Sequence, residues 1–177
     1  RSGNVRSLGN NWVSEIYEDS QGQLWFGTYG GGLNLMQQRS GHFKRFCPTG
    51  RHPDDFCDDQ VLSIIESDGY LWLGIRNVGI SKMDPADDSF HLFEANPSDP
   101  NQLSDPIVRQ IYPDREGMLW VATNDGLNRF DPQSERVRRY FHKPEDRNSL
   151  SDNRILSIYE DQKGILWIGT LNGLNRF

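Results

Sequence analysis

Four histidines and a set of carboxylates are the residues that could do chemistry in this chain. The histidines are His42, His52, His91 and His142. None has another His or Cys at the spacing of a metal site. No Ser, His and Asp arrangement for nucleophilic catalysis can be argued from the linear sequence. We therefore expect no catalytic residues, no metal ligands and no cofactor.

Acidic residues recur at matching positions instead of clustering. Because a catalytic site is expected to break a repeat, their repetition indicates a structural role. The acids recur in two series, Glu18, Glu66 and Glu160, and Asp19, Asp114 and Asp161.

The chain has two cysteines, Cys47 and Cys57, with one loop-like stretch between them. A disulfide here would close a short ring worth roughly 2–3 kcal/mol in the loop-entropy model. It would also imply an oxidising compartment. The alternative is two unpaired thiols in a cytosolic loop. The sequence leaves both interpretations open.

Composition excludes several classes of protein. The chain has 177 residues, a net charge of −6 and 35% hydrophobic residues. No stretch approaches the roughly 20 apolar residues of a membrane span. Residues 1–11 are polar and contain no signal-peptide core. The negative charge, with no dense Lys/Arg run, argues against unaided binding of nucleic acid.

An internal repeat is the main signal in the sequence. A phrase of Leu, Trp and a small residue occurs four times, and its tryptophans step by 47, 48 and 47 residues. Short apolar runs lie before and after each phrase, bounded by Gly, Asp, Asn and Pro, which is typical of strands. The phrases are Leu24–Thr28, Leu71–Ile75, Leu119–Thr123 and Leu166–Thr170.

Four strands per unit predict an all-β fold made of β-propeller blades, each a four-stranded antiparallel meander. We expect almost no helix, because no segment shows a sustained apolar period of 3.6 residues. The count gives a partial propeller of about three and a half blades over residues 1–177. The predicted blades span about 8–53, 54–101, 102–148 and 149–177, and the last lacks its outer strand.

Strand alternation places Trp25 and Gly27 on one face of their strand and Phe26 on the other. A large ring beside a missing side chain predicts a knob that faces a recess in the next sheet. The third copy has Ala122 in place of this glycine.

The phrase that runs from Leu150 to Thr170 resembles the two-component regulator propeller repeat, and the match continues in register along essentially the whole chain. Such repeats build the extracytoplasmic sensor regions of bacterial hybrid histidine kinases, often glycan-responsive, and occur upstream of diguanylate-cyclase modules. The resemblance implies a sensing or dimerisation role, a periplasmic location, and an output kinase or cyclase elsewhere in the full chain. It implies no enzyme activity for the chain itself.

The blade count departs from that family, whose propellers typically close with about seven blades. An open array would expose two hydrophobic faces and a free edge at 173–177. We therefore expect a fragment of a longer chain, whose partner is the rest of its own propeller. Two copies could instead pair into a ring, which the missing outer strand disfavours.

Ligands of propellers usually bind at the mouth of the channel, where the loops between the second and third strands lie. An oligosaccharide or another small-molecule signal would bind these loops, while the alternative is that Asn and Gly only satisfy tight turns. Trp12 differs from its counterparts Gln60, Ile107 and Arg154, which suits a recognition surface or local packing. The candidate ligand-binding residues are Trp12, Tyr29, Arg76, Asn77, Asn124, Asp125 and Asn172.

The sequence thus predicts an extracytoplasmic signal-sensing propeller fragment that binds a ligand or mediates receptor dimerisation. One alternative is a propeller enzyme, either a lyase or a glycoside-active protein. The other is a pure protein-interaction scaffold.

Overall fold

The computed structural model describes residues 7–50 and 57–177. Within these residues every regular element is a β-strand, so the predicted all-β fold is confirmed. None of the described residues forms a helix that could cross a bilayer. The predicted boundary between the first two blades, at 53–54, lies outside the described residues.

The strands form four antiparallel sheets, and each sheet is ordered as its strands follow in the chain. The first sheet contains β1 (Val13–Glu18), β2 (Leu24–Thr28), β3 (Leu33–Gln37) and β4 (His42–Phe46). The second contains β5 (Val61–Ser67), β6 (Tyr70–Ile75), β7 (Gly79–Asp84) and β8 (Ser89–Glu94). The third contains β9 (Val108–Pro113), β10 (Leu119–Thr123), β11 (Leu127–Phe130) and β12 (Val137–Tyr140). The fourth contains β13 (Ile155–Glu160), β14 (Leu166–Thr170) and β15 (Gly173–Arg176).

The chain divides into two compact units. Unit 1 contains the described residues up to 76 together with 81–92, and unit 2 contains 77–80 together with 93–177. Strands β7 and β8 contribute residues to both units.

A β-bulge interrupts the first pairing of every sheet at the same place. In the first strand of each sheet the second residue is skipped, so that the residues on either side of it pair with consecutive residues of the next strand. An extra residue of this kind bends the strand and increases its twist. The skipped residues are Ser14, Leu62, Arg109 and Leu156.

Within unit 1, the Trp-bearing face of the first sheet packs against β5. Trp25 is fully buried. A Cβ built on Gly27 would lie 2.7 Å from the carbonyl oxygen of Val61, so the second sheet approaches where the first has no side chain. The predicted recess at this glycine is therefore confirmed in unit 1.

The core of unit 2 lies between the third and fourth sheets. Trp120, Ala122 and Leu127 pack there with Ile155 and Ile158. The ring of Trp120 lies 5.0 Å from that of Phe177 at an angle of 71°. Apolar residues spaced two apart along these strands thus form one continuous core, as strand alternation requires.

A hydrogen bond to tryptophan stabilises the hairpin between the first two strands in three sheets. The aspartate that opens the turn accepts backbone N–H bonds, as the sequence predicts, and its second carboxylate oxygen accepts the indole N–H. No pattern in the sequence predicts this indole bond. The pairs are Trp25 with Asp19 at 2.8 Å, Trp120 with Asp114 at 3.0 Å and Trp167 with Asp161 at 3.0 Å.

Candidate functional site

Two exposed aromatic side chains lie at one edge of the first sheet. Trp12 precedes β1 and is 73% exposed, and Tyr29 follows β2 and is 37% exposed. Their rings meet edge to face, with centroids 6.3 Å apart at 79°. The backbone N–H of Tyr29 donates to the carbonyl oxygen of Trp12 at 3.0 Å, which holds the two residues together.

Gln60 and Arg76 extend this edge within unit 1. Tyr29 and Gln60 form an isolated β-bridge, and the N–H of Arg76 donates to the carbonyl oxygen of Gln60 at 2.9 Å. The Arg76 guanidinium also donates to Oε1 of Gln60 at 3.3 Å and is exposed. We call Trp12, Tyr29, Gln60 and Arg76 the aromatic edge.

The aromatic edge combines two rings with amide and guanidinium donors on neighbouring strand ends. Flat rings that stay exposed can stack on an apolar face of a ligand, while the polar groups beside them can orient it. Trp12, Tyr29 and Arg76 were predicted from the sequence. Gln60 was not, because the bridge that joins it to Tyr29 connects residues 31 positions apart.

The other four predicted ligand-binding residues lie in unit 2, where one takes a turn conformation and two have side-chain partners. Asn77 adopts a left-handed φ of 63°, which a tight turn requires. Asn124 accepts from Nε of Arg109 at 2.7 Å, and Asp125 accepts from Nδ2 of Asn153 at 2.9 Å.

Asn172 is the remaining member and occupies the turn before β15. Its backbone N–H donates to the hydroxyl of Thr170 at 3.3 Å, and the residue is exposed. The structure thus brings three of the seven predicted residues together in unit 1, and the four in unit 2 take turn or side-chain hydrogen-bonding positions.

A disulfide lies next to the aromatic edge. The structure pairs Cys47 with Cys57, with Cα atoms 5.4 Å apart. The carboxylate of the buried Asp59 accepts from the backbone N–H and the hydroxyl of Thr49, both at 2.9 Å. The carbonyl oxygen of Asp59 accepts from the N–H groups of Gly30 at 3.2 Å and Gly32 at 3.0 Å. Asp59 therefore links Thr49, next to the disulfide, to the turn that carries Tyr29.

Among the described residues, Cys47, Cys57 and Asp59 are the one group of three or more side chains whose metal-ligating atoms lie close together. The ligand atoms of Cys47, Cys57 and Asp59 lie within 4.8 Å of one another. Because a metal binds the thiolate and not the disulfide, this group suits a covalent cross-link better than a metal.

Perturbed titrations in the described residues follow from local contacts. Burial raises the pKa of the Glu15 carboxyl above its ordinary value. The hydrogen bond from the indole of Trp167 is the main cause that lowers the pKa of Asp161. Desolvation lowers the pKa of Arg139, whose guanidinium donates to five backbone carbonyl groups of the loop before β9, including that of Gln102 at 2.7 Å. These groups serve the fold, and none lies in the aromatic edge.

Three segments of the sequence match the family described as two component regulator propeller: residues 7–30, 102–125 and 149–172. They fall on the first, third and fourth sheets. Among curated proteins, no sequence matches the chain.

Many solved structures share this fold. One is the extracellular domain of a protein described as a hybrid two component system, from B. thetaiotaomicron. It has a TM-score of 0.82 at 22% identity, and the alignment covers 99% of this chain and 22% of that one. A second such domain from that organism has a TM-score of 0.62 at 23% identity, with coverage of 27% of it and 98% of this chain. Virginiamycin B lyase from Staphylococcus aureus has a TM-score of 0.67 at 18% identity, with coverage of 55% of it and 93% of this chain.

These similarities show the propeller fold. The chain spans about a fifth of the length of the first two-component structures it matches.

Proposed function

We propose that this chain is a sensor-type propeller segment that binds a signal outside the cytoplasm. The starting point is the match of three of its segments to the two component regulator propeller family. The matched family and the extracellular two-component domains of the same fold support this proposal. The disulfide between Cys47 and Cys57 agrees with it, since disulfides persist in oxidising compartments such as the periplasm.

The observation that carries ligand binding is the exposed pair of Trp12 and Tyr29. An indole that is 73% exposed costs hydration free energy unless something covers it when the protein acts. The pair lies on a braced backbone, so its geometry exists before the ligand arrives and little ordering cost is added on binding. An oligosaccharide fits this edge, because a sugar offers an apolar face to the rings and hydroxyl groups to Gln60 and Arg76.

Calorimetric titration of the chain with a panel of neutral and acidic oligosaccharides tests the proposal. We expect saturable heat with at least one member. Trp12→Ala and Tyr29→Ala should each weaken that binding at least about tenfold, which is the loss of about 1.4 kcal/mol. Gln133→Ala, at an exposed turn residue of unit 2, is the control and should bind as the original chain does. No saturable heat with any member, or equal binding by all variants, would refute ligand binding at this edge.

A propeller enzyme is the second candidate, because the lyase from Staphylococcus aureus shares the fold. The same titrated samples separate the two candidates when they are analysed by chromatography. A sensor returns every oligosaccharide intact, whereas a lyase or glycoside-active protein yields shorter products. Chain length of the recovered oligosaccharides is therefore the deciding measurement.

The full-length protein is proposed to pass the signal to a kinase or cyclase module, or to transmit it by dimerisation of the receptor. Both proposals rest on the family resemblance and concern parts of the protein outside these 177 residues. Sequencing the reading frame on both sides tests them, since a secretion or hydrolase module in place of a kinase or cyclase would contradict the sensor assignment.

A further inference from the structure

The disulfide between Cys47 and Cys57 lies within unit 1, where the chain passes from the first sheet to the second. Cys47 directly follows β4, and Cys57 precedes β5. Both of these sheets have all four of their strands. We call residues 57–60 the connecting segment, because they lead from the disulfide to Gln60, which forms the β-bridge with Tyr29 of the aromatic edge.

The connecting segment packs against the turn between β2 and β3. A Cβ built on Gly32 would lie 2.8 Å from Sγ of Cys57, so this turn residue must be a glycine for the sulfur to fit. The carbonyl oxygen of Asp59 accepts from the N–H groups of Gly30 at 3.2 Å and Gly32 at 3.0 Å. The disulfide therefore anchors a segment that is bonded directly to the turn beside the aromatic edge.

Unit 2 contains the same bond between turn and segment without a disulfide. The N–H of Gly126 donates to the carbonyl oxygen of Asn153 at 2.7 Å, and these residues hold the repeat positions of Gly32 and Asp59. The side chain of Asn153 also accepts from the N–H of His142 at 2.6 Å. The backbone bond thus belongs to the repeat, whereas the covalent anchor belongs to unit 1.

The position of Cys57 has a hydrogen-bonded anchor in unit 2. There Ser151 donates its N–H to Oδ1 of Asn175 at 2.9 Å, and its hydroxyl accepts from Nδ2 at 3.0 Å. In unit 1 the position of Asn175 is taken by Ser81, whose hydroxyl donates to the carbonyl oxygen of His91 at 3.4 Å. The cross-link stands where the repeat has two hydrogen bonds, so opening it releases an anchor that those bonds do not replace.

The disulfide is accessible to thiol–disulfide exchange, because both cysteines are only half-buried. A dithiol opens it in two steps. One thiolate of the dithiol attacks a cysteine sulfur, which forms a mixed disulfide and releases the other cysteine as a thiolate that takes up a proton. The second thiol of the dithiol then displaces the remaining cysteine. The products are two cysteine thiols and one oxidised dithiol.

We propose that the redox state of this disulfide regulates the aromatic edge. In the oxidised chain the anchored segment holds the turn in place, and with it Tyr29 beside Trp12. In the reduced chain the segment separates from the turn more often, so a ligand must order both of them at a cost in affinity. The effect on affinity rests on the proposed function, whereas the effect on the turn does not.

Coupling between two sites acts in both directions. If reduction weakens ligand binding by some factor, bound ligand makes the disulfide harder to reduce by the same factor. For this two-electron couple, a factor of ten is about 30 mV in reduction potential. A chain with ligand bound would therefore keep its disulfide in a dithiol mixture that opens the disulfide of the free chain.

Amide hydrogen exchange tests the turn without any ligand. Exchange of the Gly30 and Gly32 N–H groups is followed by NMR on the isotope-labelled chain before and after reduction by a phosphine. Gly126 is the matched control, because its N–H makes the same bond in unit 2. We expect reduction to accelerate exchange at Gly30 and Gly32 about tenfold more than at Gly126. The comparison separates local release of the turn from a loss of overall stability.

A chain with Cys47→Ser and Cys57→Ser serves as a second form without the cross-link. It should show the faster exchange at Gly30 and Gly32 already and should not respond to the phosphine. It also permits calorimetric titration without reductant.

Calorimetric titration with an oligosaccharide that binds the oxidised chain tests the effect on affinity. We expect binding to be about tenfold weaker for the reduced chain and for the double variant. Equilibration of the original chain with mixtures of reduced and oxidised dithiothreitol should then show a reduction potential about 30 mV more negative in the presence of saturating oligosaccharide.

Two results would each overturn the proposal. One is exchange at Gly30 and Gly32 that reduction accelerates no more than exchange at Gly126. The other is equal affinity of the oxidised and reduced chains for the oligosaccharide. If no oligosaccharide binds the oxidised chain, the proposed ligand binding fails by itself, and the exchange rates still decide whether the disulfide controls the turn.

Discussion

The aspartate that opens the first turn of a sheet makes more contacts than those of a turn residue. In the third sheet, Asp114 accepts from the indole of Trp120 at 3.0 Å and forms an ion pair with Arg129 at 3.0 Å. Arg129 lies 5.5 Å from the Trp120 ring, so aspartate, indole and guanidinium form one cluster. The turn could be predicted from the sequence. The cluster could not, because it forms only when strand pairing places Arg129 opposite Trp120.

Replacing Asp114 with Ala should therefore destabilise the fold. We expect a loss of about 1–3 kcal/mol in the free energy of unfolding, since the indole N–H loses its acceptor and Arg129 loses one of its two carboxylate partners. Urea titration followed by tryptophan fluorescence measures it. Glu145→Ala, at an exposed loop residue, should change the midpoint little, and an equal loss in both variants would exclude a specific role for Asp114.

Asp161 should make the stability of unit 2 depend on acidity. Its folded-state pKa lies below the ordinary value near 3.9 because it accepts the Trp167 N–H. A lowered pKa gives stability that is present above about pH 4 and is lost as pH falls through the folded-state pKa. Urea midpoints over an acid series should therefore fall less steeply for Asp161→Asn. Glu145→Gln should follow the original chain, and identical slopes for all three chains would refute the assignment.

The second sheet is the element that departs from the repeat, and its departures are connected. In the third sheet, Asn128 of β11 accepts from the N–H of Ser104 at 2.9 Å and donates to its hydroxyl at 2.9 Å. In the fourth sheet, Asn175 and Ser151 make the same pair of bonds at 2.9 and 3.0 Å.

At these positions the second sheet has Ser81 in place of the asparagine and Cys57 in place of the serine. Cys57 bonds instead to Cys47, the residue that follows β4. A covalent link has replaced a hydrogen-bonded one at the entry to this sheet. The family match, which includes the other three sheets, does not include this one.

Reducing this disulfide should lower the stability of the chain. The ring joins residues 10 positions apart, so the loop-entropy model gives roughly 2–3 kcal/mol. Urea titration with and without a phosphine reductant measures the loss. The chain with Cys47→Ser and Cys57→Ser should already have the lower midpoint and should not respond to reductant. A response in that double variant, or none in the original chain, would contradict the prediction.

The strands could be predicted from the sequence because each depends on residues close in the chain. Apolar alternation, turn glycines and the repeat of Trp phrases are local or periodic signals, and the observed strands follow them. The candidate site could be predicted only in part. Whether Tyr29 meets Trp12, or Asn124 meets Arg109, depends on the conformation of the chain at strand ends, which no periodic pattern determines.

At the scale of the whole molecule, the bulge shared by all four sheets separates two tasks along each first strand. Residues after the bulge keep the pairing and the core. The residue just before the strand still accepts a backbone hydrogen bond at Trp12, Gln60 and Arg154, while its side chain differs in every sheet. Evolution can therefore change the side chain at this position, one repeat at a time, without disturbing the scaffold beneath it.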